Sequence, residues 1–175
     1  YGQKRHPNDE STRVPFLARW PGRVPAGIER QTLFSTIDVF PTLAGAVRLQ
    51  EQLEYVKTPE ARASLAYLKT LPGVDLSEVL LNASGGPEPH SVFLMHPSNM
   101  NNNSRHEPVW RAIVTDEYTY AVTGDAEYAL WKNEDSYQTE NLVESSDTLA
   151  IRKQLWNELR TWMDVAETPF IDNWF

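Results

Sequence analysis

Between residues 109 and 132 lie three short runs, VWRAIVTD, EYTYAVTG and EYALWK, of which the first two alternate apolar and polar residues. Asp116-Glu117 and Gly124-Asp125 separate them. Alternation with a period of two gives each strand two distinct faces, and so tight a turn sends the next strand back antiparallel. The segment therefore predicts an antiparallel sheet. HSVFLMHP (90–97), with its apolar centre, is a further strand. After the acidic loop NEDSYQTENLVESSD comes TLAIRKQLWNELRTWMDVA, in which Leu155, Leu159, Trp162 and Val165 recur at helical spacing. Trp156 and Met163 widen that stripe, and Asp147 or a neighbouring serine caps the helix. The expected arrangement is a small antiparallel sheet packed by a C-terminal helix.

The first half differs in texture. RVPFLARW (13–20) is a nearly continuous apolar run closed by Pro21-Gly22. It predicts a strand buried on both faces, with Pro15 at its beginning or at an edge because proline cannot donate to a ladder. STIDVFPTLAGAVRL (35–49) predicts a helix. Ser35 and Asp38 loosely match a capping box, Pro41 falls in or near the first turn, and Ile37, Phe40, Leu43, Ala44 and Val47 form a core-facing stripe. Thr58-Pro59-Glu60 opens another helix that Pro72-Gly73 ends. The order of elements is α+β, and the chain divides at residue 89 into regions 1–89 and 90–175.

Composition narrows the functional classes. The 175 residues are 41% hydrophobic and 23% charged, with six Trp, seven Tyr and six Phe, which suits a globular core. A net charge of −8 argues against a general nucleic-acid binder, which needs clustered Lys and Arg, and against adhesion to an anionic membrane. There is no cysteine, so this chain supplies no disulfide, thiolate nucleophile or Cys-based zinc site. No stretch is long and apolar enough to span a membrane. Gly-x-Ser-x-Gly, P-loop, HExxH and Rossmann glycine patterns are all absent.

Few residues are candidates for chemistry. His6, His90, His96 and His106 show no helical metal-ligand spacing. His6 reads as a solvated loop residue. His96 ends a strand, where active sites of α/β proteins often gather. Arg105 and His106 lie in the Asn-rich loop SNMNNNSRHEP, which is equally consistent with a binding loop and with a merely mobile one. Lys4-Arg5 reads first as a surface cation pair balanced by Asp9 and Glu10. Its functional alternative is an anion clamp, in which the compact ammonium follows a sulfate or phosphate oxygen.

Several segments, in order, resemble the latter part of the type I, formylglycine-dependent sulfatases. They begin with Gly2-Gln3-Lys4, Pro7, Asp9-Glu10-Ser11-Thr12-Arg13-Val14-Pro15-Phe16 and Arg19-Trp20-Pro21-Gly22. That family has a Gly-x-Lys element, an acidic E-S-x-R-V-P strand and a W-P-G turn. STIDVFPTL resembles its next helix, and PGVDLSEVLL its D-G-x-S-L segment, with Leu76 in place of the Gly. Arg111-Ala112-Ile113-Val114-Thr115-Asp116, followed by Tyr118-Thr119-Tyr120, resembles its R-x-V-R-T-x-x-x-K-Y hairpin. Ala129-Leu130-Trp131, Asn133-Glu134-Asp135 and Glu140-Asn141-Leu142 resemble its C-terminal L-Y-D-L-x-x-D-P-x-E-x-x-N-L signature.

The resemblance implies an α+β fragment of an alkaline-phosphatase-like α/β sulfatase. Residues 1–89 would carry one late strand and helices of the large core, and 90–175 the small C-terminal domain. It implies hydrolysis of sulfate esters of a small molecule or glycan, in a periplasmic or extracellular setting. The family's nucleophile is a formylglycine made from Cys or Ser in C/S-x-P-x-R, and no such motif occurs in this chain. The family's calcium ligands are likewise expected outside it. Lys4 alone matches a catalytic position, where a lysine binds the sulfate and steadies the leaving oxygen. His96, Arg105 and His106 are the expected substrate contacts. The chain alone is expected to be inactive, to need an N-terminal sulfatase region, and to self-associate through exposed apolar surface. The alternatives are part of a phosphomonoester or phosphonate hydrolase of the same superfamily, and a stand-alone, non-catalytic binding module.

Overall fold

A computed structural model of the chain describes residues 5–82, 84–86, 88–96, 109–124 and 126–167. Its elements are α1 (Asp9–Thr12), α2 (Val39–Ala46), α3 (Leu49–Val56), α4 (Pro59–Leu68), α5 (Ser77–Leu81), β1 (Ser91–His96), β2 (Trp110–Thr115), β3 (Tyr118–Thr123), β4 (Glu127–Lys132) and α6 (Leu149–Val165). They fall into two units. One comprises Phe16–Pro89, and the other joins Tyr1–Pro15 to His90–Phe175. The opening segment thus groups with the sheet.

In the sheet unit the four strands form an antiparallel meander in the order β1-β2-β3-β4. The Asp116-Glu117 turn is held by Thr115, whose Oγ1 accepts the N–H groups of Glu117 (3.3 Å) and Tyr118 (3.0 Å). Asn133 fastens the same hairpin: its Nδ2 donates to Thr115 O at 2.7 Å and its Oδ1 accepts from Thr119 Oγ1 at 2.9 Å. Asn141 then caps β4, its Oδ1 accepting the Leu130 N–H at 3.0 Å while its Nδ2 donates to Tyr128 O at 3.2 Å. Two of the polar residues in the signature-like loop are therefore structural.

Both faces of the sheet are buried. Ile113, Tyr120, Val122 and Leu130 meet Leu155, Trp156, Leu159 and Met163 of α6. Each such side chain contributes on the order of 2 kcal/mol by leaving water. The predicted helical stripe is present but rotated. Val165 is 58% exposed and Trp162 half-buried, because the 155–159–163 ridge, with Trp156, is the one that meets the sheet. On the other face Trp110, Ala112, Ala121, Ala129 and Trp131 cluster, with Leu94 and Tyr128 beside them. Polar contacts also join α6 to the sheet: the buried Arg152 pairs with Glu127, which also accepts from Tyr120 Oη at 2.7 Å, and Ser91 Oγ accepts the Trp162 indole N–H at 2.9 Å.

The first half of the chain departs from expectation in two places. Residues 13–20 carry no strand pairing, and Val14 and Leu17 are 72% and 91% exposed. An apolar run becomes a buried strand only beside other strands, and among the described residues no strand adjoins it. Phe16 instead pairs with Phe34 at a ring separation of 4.4 Å, while Trp20-Pro21-Gly22 makes the expected turn, with Arg23 N–H on Trp20 O at 3.0 Å.

In the second place the expected stripe around α2 is mostly turned outward. Of its residues Ala44 is buried, while Ile37, Phe40, Leu43 and Val47 are exposed and Asp38, Thr42 and Ala46 are buried instead. The polar side chains point inward because the 73–76 loop lies against them. Asp38 accepts the Val74 N–H at 2.8 Å, and Thr42 Oγ1 accepts the Leu76 N–H at 3.0 Å. Asp38 also accepts the Ser35 N–H at 2.7 Å, as the capping-box pattern predicts. The helix stops early, since Arg48 is left-handed (φ 53°) and starts a new helix, α3. Thr58 caps α4 by accepting the Ala61 N–H at 3.2 Å.

Candidate functional site

Of the residues expected to carry chemistry, Lys4, Arg105 and His106 lie outside the described residues. His96 is described, and its surroundings are informative. It ends β1 directly opposite Trp110, the first residue of β2. The two rings stack with centroids 6.3 Å apart and planes 21° from parallel. His96 Nδ1 is buried and has no hydrogen-bond partner among the described residues.

Trp110 is 4% exposed. A buried indole needs an acceptor for its N–H. Here the acceptor is the carbonyl of Arg5, 2.7 Å away and 105 residues earlier in the chain. Arg5 is left-handed (φ 71°), Pro7 is almost fully buried, and the Asp9 N–H donates to Gln138 Oε1 at 2.8 Å. The segment that follows Lys4 is therefore held by side chains of the sheet unit.

Behind this strand end, Arg111 is 7% exposed and donates through Nη1 to His96 O (3.3 Å) and Trp110 O (3.1 Å). Burial lowers its pKa from the ordinary arginine value. The structure thus gathers His96, Trp110, Arg111 and Arg5 at one end of the sheet. Trp110 and Arg111 were not legible as site residues, since a lone Trp-Arg at a strand start carries no local signal of a contact to residue 5.

Elsewhere chemistry is sparse. An open hollow of about 460 Å³ in the helical unit is lined mostly by apolar residues, among them Phe40, Leu53, Tyr67 and Leu68. Among the described residues no group of three or more His, Asp or Glu is placed to hold a metal ion.

No family model matches the chain. Over 158 residues, 87% of its length, it is 30% identical to the ulvan-active sulfatase of Formosa agariphila. Over 87 residues, half of its length, it is 38% identical to human arylsulfatase G. The chain belongs to the sulfatase family. A shorter match, 36% over 74 residues, joins this sulfatase chain to the N-acetylgalactosamine-6-O-sulfatase of Bacteroides thetaiotaomicron. The chain spans 27% of the first relative's length and 13% of each of the other two. Among solved structures, YidJ of Bacteroides fragilis, a protein proposed to be a sulfatase, superposes with a TM-score of 0.52 at 24% identity, covering 76% of this chain and 25% of that one. The sulfatase chain therefore has the fold of part of an alkaline-phosphatase-like protein, with its antiparallel sheet and terminal helix.

Proposed function

We propose that this chain is the C-terminal part of an enzyme that hydrolyses sulfate esters, and that Lys4 is its contribution to the chemistry. The observation that carries this is the match over 87% of the chain to a sulfatase of which it spans only 27%. The exposed apolar residues of the helical unit, among them Leu17, Phe40 and Leu43, support it, because such surface is normally covered.

In this reading the Lys4 ammonium binds a non-bridging sulfate oxygen and offsets charge on the leaving oxygen as the S–O bond breaks. A group aimed at charge that develops only in the transition state raises kcat rather than ground-state affinity. His96, Arg105 and His106 bind the remainder of a sulfated sugar or aryl group, Arg105 through the planar fork that suits anionic oxygens. The described residues hold no donor cluster for the calcium that the family resemblance implies, and the sequence holds no motif for formylglycine. Nucleophile and metal would come from the larger N-terminal region.

The test uses the full-length protein containing this chain, assayed for sulfate release from an aryl sulfate and phosphate release from the matching aryl phosphate. Sulfate release that Lys4→Ala reduces by at least about a hundredfold is the expected result. Turnover of the phosphate alone, or an unaffected Lys4→Ala, would sink the proposal.

A further inference from the structure

We propose that Trp20 and Arg23 form a subsite for a sulfate group of a sulfated glycan chain. The inference rests on the reading of the protein as a sulfate-ester hydrolase and deepens it from a small ester to a chain carrying several sulfates. The local sequence builds the site. Pro21 presets φ at the second position of a turn, and Gly22, left-handed at φ 77°, fills the third, where a side chain would be strained. The Arg23 N–H closes the turn on Trp20 O at 3.0 Å, and the Val24 N–H reaches the same oxygen at 2.9 Å. A turn closed in this way sets residues 20 and 23 side by side. The Arg23 guanidinium carbon lies 5.6 Å from the centre of the Trp20 ring, within cation–π range.

The charge around this turn sets it apart. The chain carries 24 acids and a net charge of −8, yet residues 14–28 hold no acid and two arginines, Arg19 and Arg23. Both are exposed, and neither forms an ion pair among the described residues, whereas Arg13 and Arg48 are paired with Asp9 and Glu51. Burying unpaired guanidinium groups is costly, so the turn stays at the surface even where the apolar residues before it are covered. A local cationic patch on an acidic protein attracts anions that the remaining surface repels. Stacking on the indole holds the guanidinium fork in place, so fewer rotamers are lost when its N–H groups meet sulfate oxygens. Trp20 is 38% exposed and offers apolar area to the C–H face of a sugar ring. A single-stranded nucleic acid would call for several stacking rings along one groove, and this turn supplies one.

The experiment measures binding of dextran sulfate to the full-length sulfatase at about 0.15 M salt, where long-range attraction is screened. Neutral dextran and single-stranded RNA serve as comparison ligands, and sulfate release from an aryl sulfate is assayed in parallel. Three variants are compared with the unaltered protein: Arg23→Ala, Gly22→Ala, and Arg62→Ala, which removes an equal charge from the exposed side of α4. The expected Kd for dextran sulfate is about fivefold weaker in Arg23→Ala, as for the loss of an exposed ionic contact. Gly22→Ala keeps both side chains but strains the turn, and should weaken binding similarly, while Arg62→Ala should stay within about twofold. Neutral dextran should not bind, and RNA should bind more weakly than dextran sulfate. Aryl sulfate turnover should be unchanged in Arg23→Ala. If Gly22→Ala fails to fold, Arg23→Ala decides. Unchanged dextran sulfate affinity in Arg23→Ala, beside normal turnover, overturns the subsite alone. Equal weakening by Arg62→Ala would show diffuse attraction, and RNA bound as tightly would show a nucleic-acid surface; either result overturns the proposal. No sulfate release by the unaltered full-length protein defeats the enzyme reading instead.

Discussion

The backbone N–H of Asp9 donates to the side-chain oxygen of Gln138 at 2.8 Å, across 129 residues of sequence. Gln138 Nε2 returns a weaker bond to Asp9 Oδ1 at 3.4 Å, and Gln138 itself is left-handed and 8% exposed. Replacing Gln138 with Ala should release the segment at α1 without unfolding the sheet. Amide exchange at residues 8–12 should then accelerate at least about tenfold, while β2 and β3 amides stay protected. Equal acceleration everywhere would mean that the contact supports the whole unit.

Arg152 and Glu127 form a buried pair between α6 and β4, their side chains only 11% and 18% exposed. Removing one partner strands the other charge away from water. Arg152→Met should therefore destabilise the sheet unit by about 3 kcal/mol in urea unfolding. The double variant Arg152→Met/Glu127→Leu should recover much of that loss, since an apolar pair leaves no stranded charge. A double variant no better than the single one would contradict this.

Tyr120 is fully buried, and burial together with the nearby Glu127 carboxylate raises its pKa above the ordinary tyrosine value of 10.0. A raised folded-state pKa means that the unfolded state loses its proton first. The contribution of Tyr120 to stability is complete below pH 10.0 and falls as pH climbs above it. Tyrosinate absorbance from Tyr120, isolated by difference from Tyr120→Phe, should appear only together with loss of the native sheet signal. Its appearance in the folded protein near pH 10 would be inconsistent with burial.

Asp135 folds its own loop, its carboxylate accepting the N–H groups of Glu140 (3.0 Å) and Thr139 (2.7 Å). Those bonds, with Glu140 leading, hold its pKa below the ordinary value of 3.8. The loop's support is therefore complete above pH 3.8 and lost as pH falls through the lower folded value. The Thr139 and Glu140 amide resonances should titrate with a midpoint under 3.8, and a midpoint at or above it would contradict the geometry.

Gly73 lies so close to the turn that leads into α2 that an added Cβ would overlap the Ile37 carbonyl oxygen. Gly73→Ala should push the loop off Asp38 and Thr42 and destabilise the helical unit by about 2 kcal/mol in urea unfolding. A neutral substitution would show that the loop shifts without cost.

The sheet was readable because its signals are local: short runs rich in β-branched and aromatic residues, and turn residues beside the strand ends. The α6 stripe was readable for the same reason, although its exact facing was not. Val14 and Leu17 were misread because an apolar run does not say whether neighbouring strands accompany it. The face of α2 was misread because its outcome depends on Asp38 and Thr42 bonding to backbone more than thirty residues away. The Trp110–Arg5 contact was beyond reach for the same cause, with three times the separation. Lys4 could be singled out only through resemblance, since by itself it is one cation among sixteen Lys and Arg.

The most direct test of the central claim is sulfate release from an aryl sulfate by this 175-residue chain alone, beside the full-length protein that contains it. Turnover by the full-length protein and none by the chain alone is predicted, because the proposed reading places the nucleophile outside this chain. Turnover by the isolated chain would contradict it.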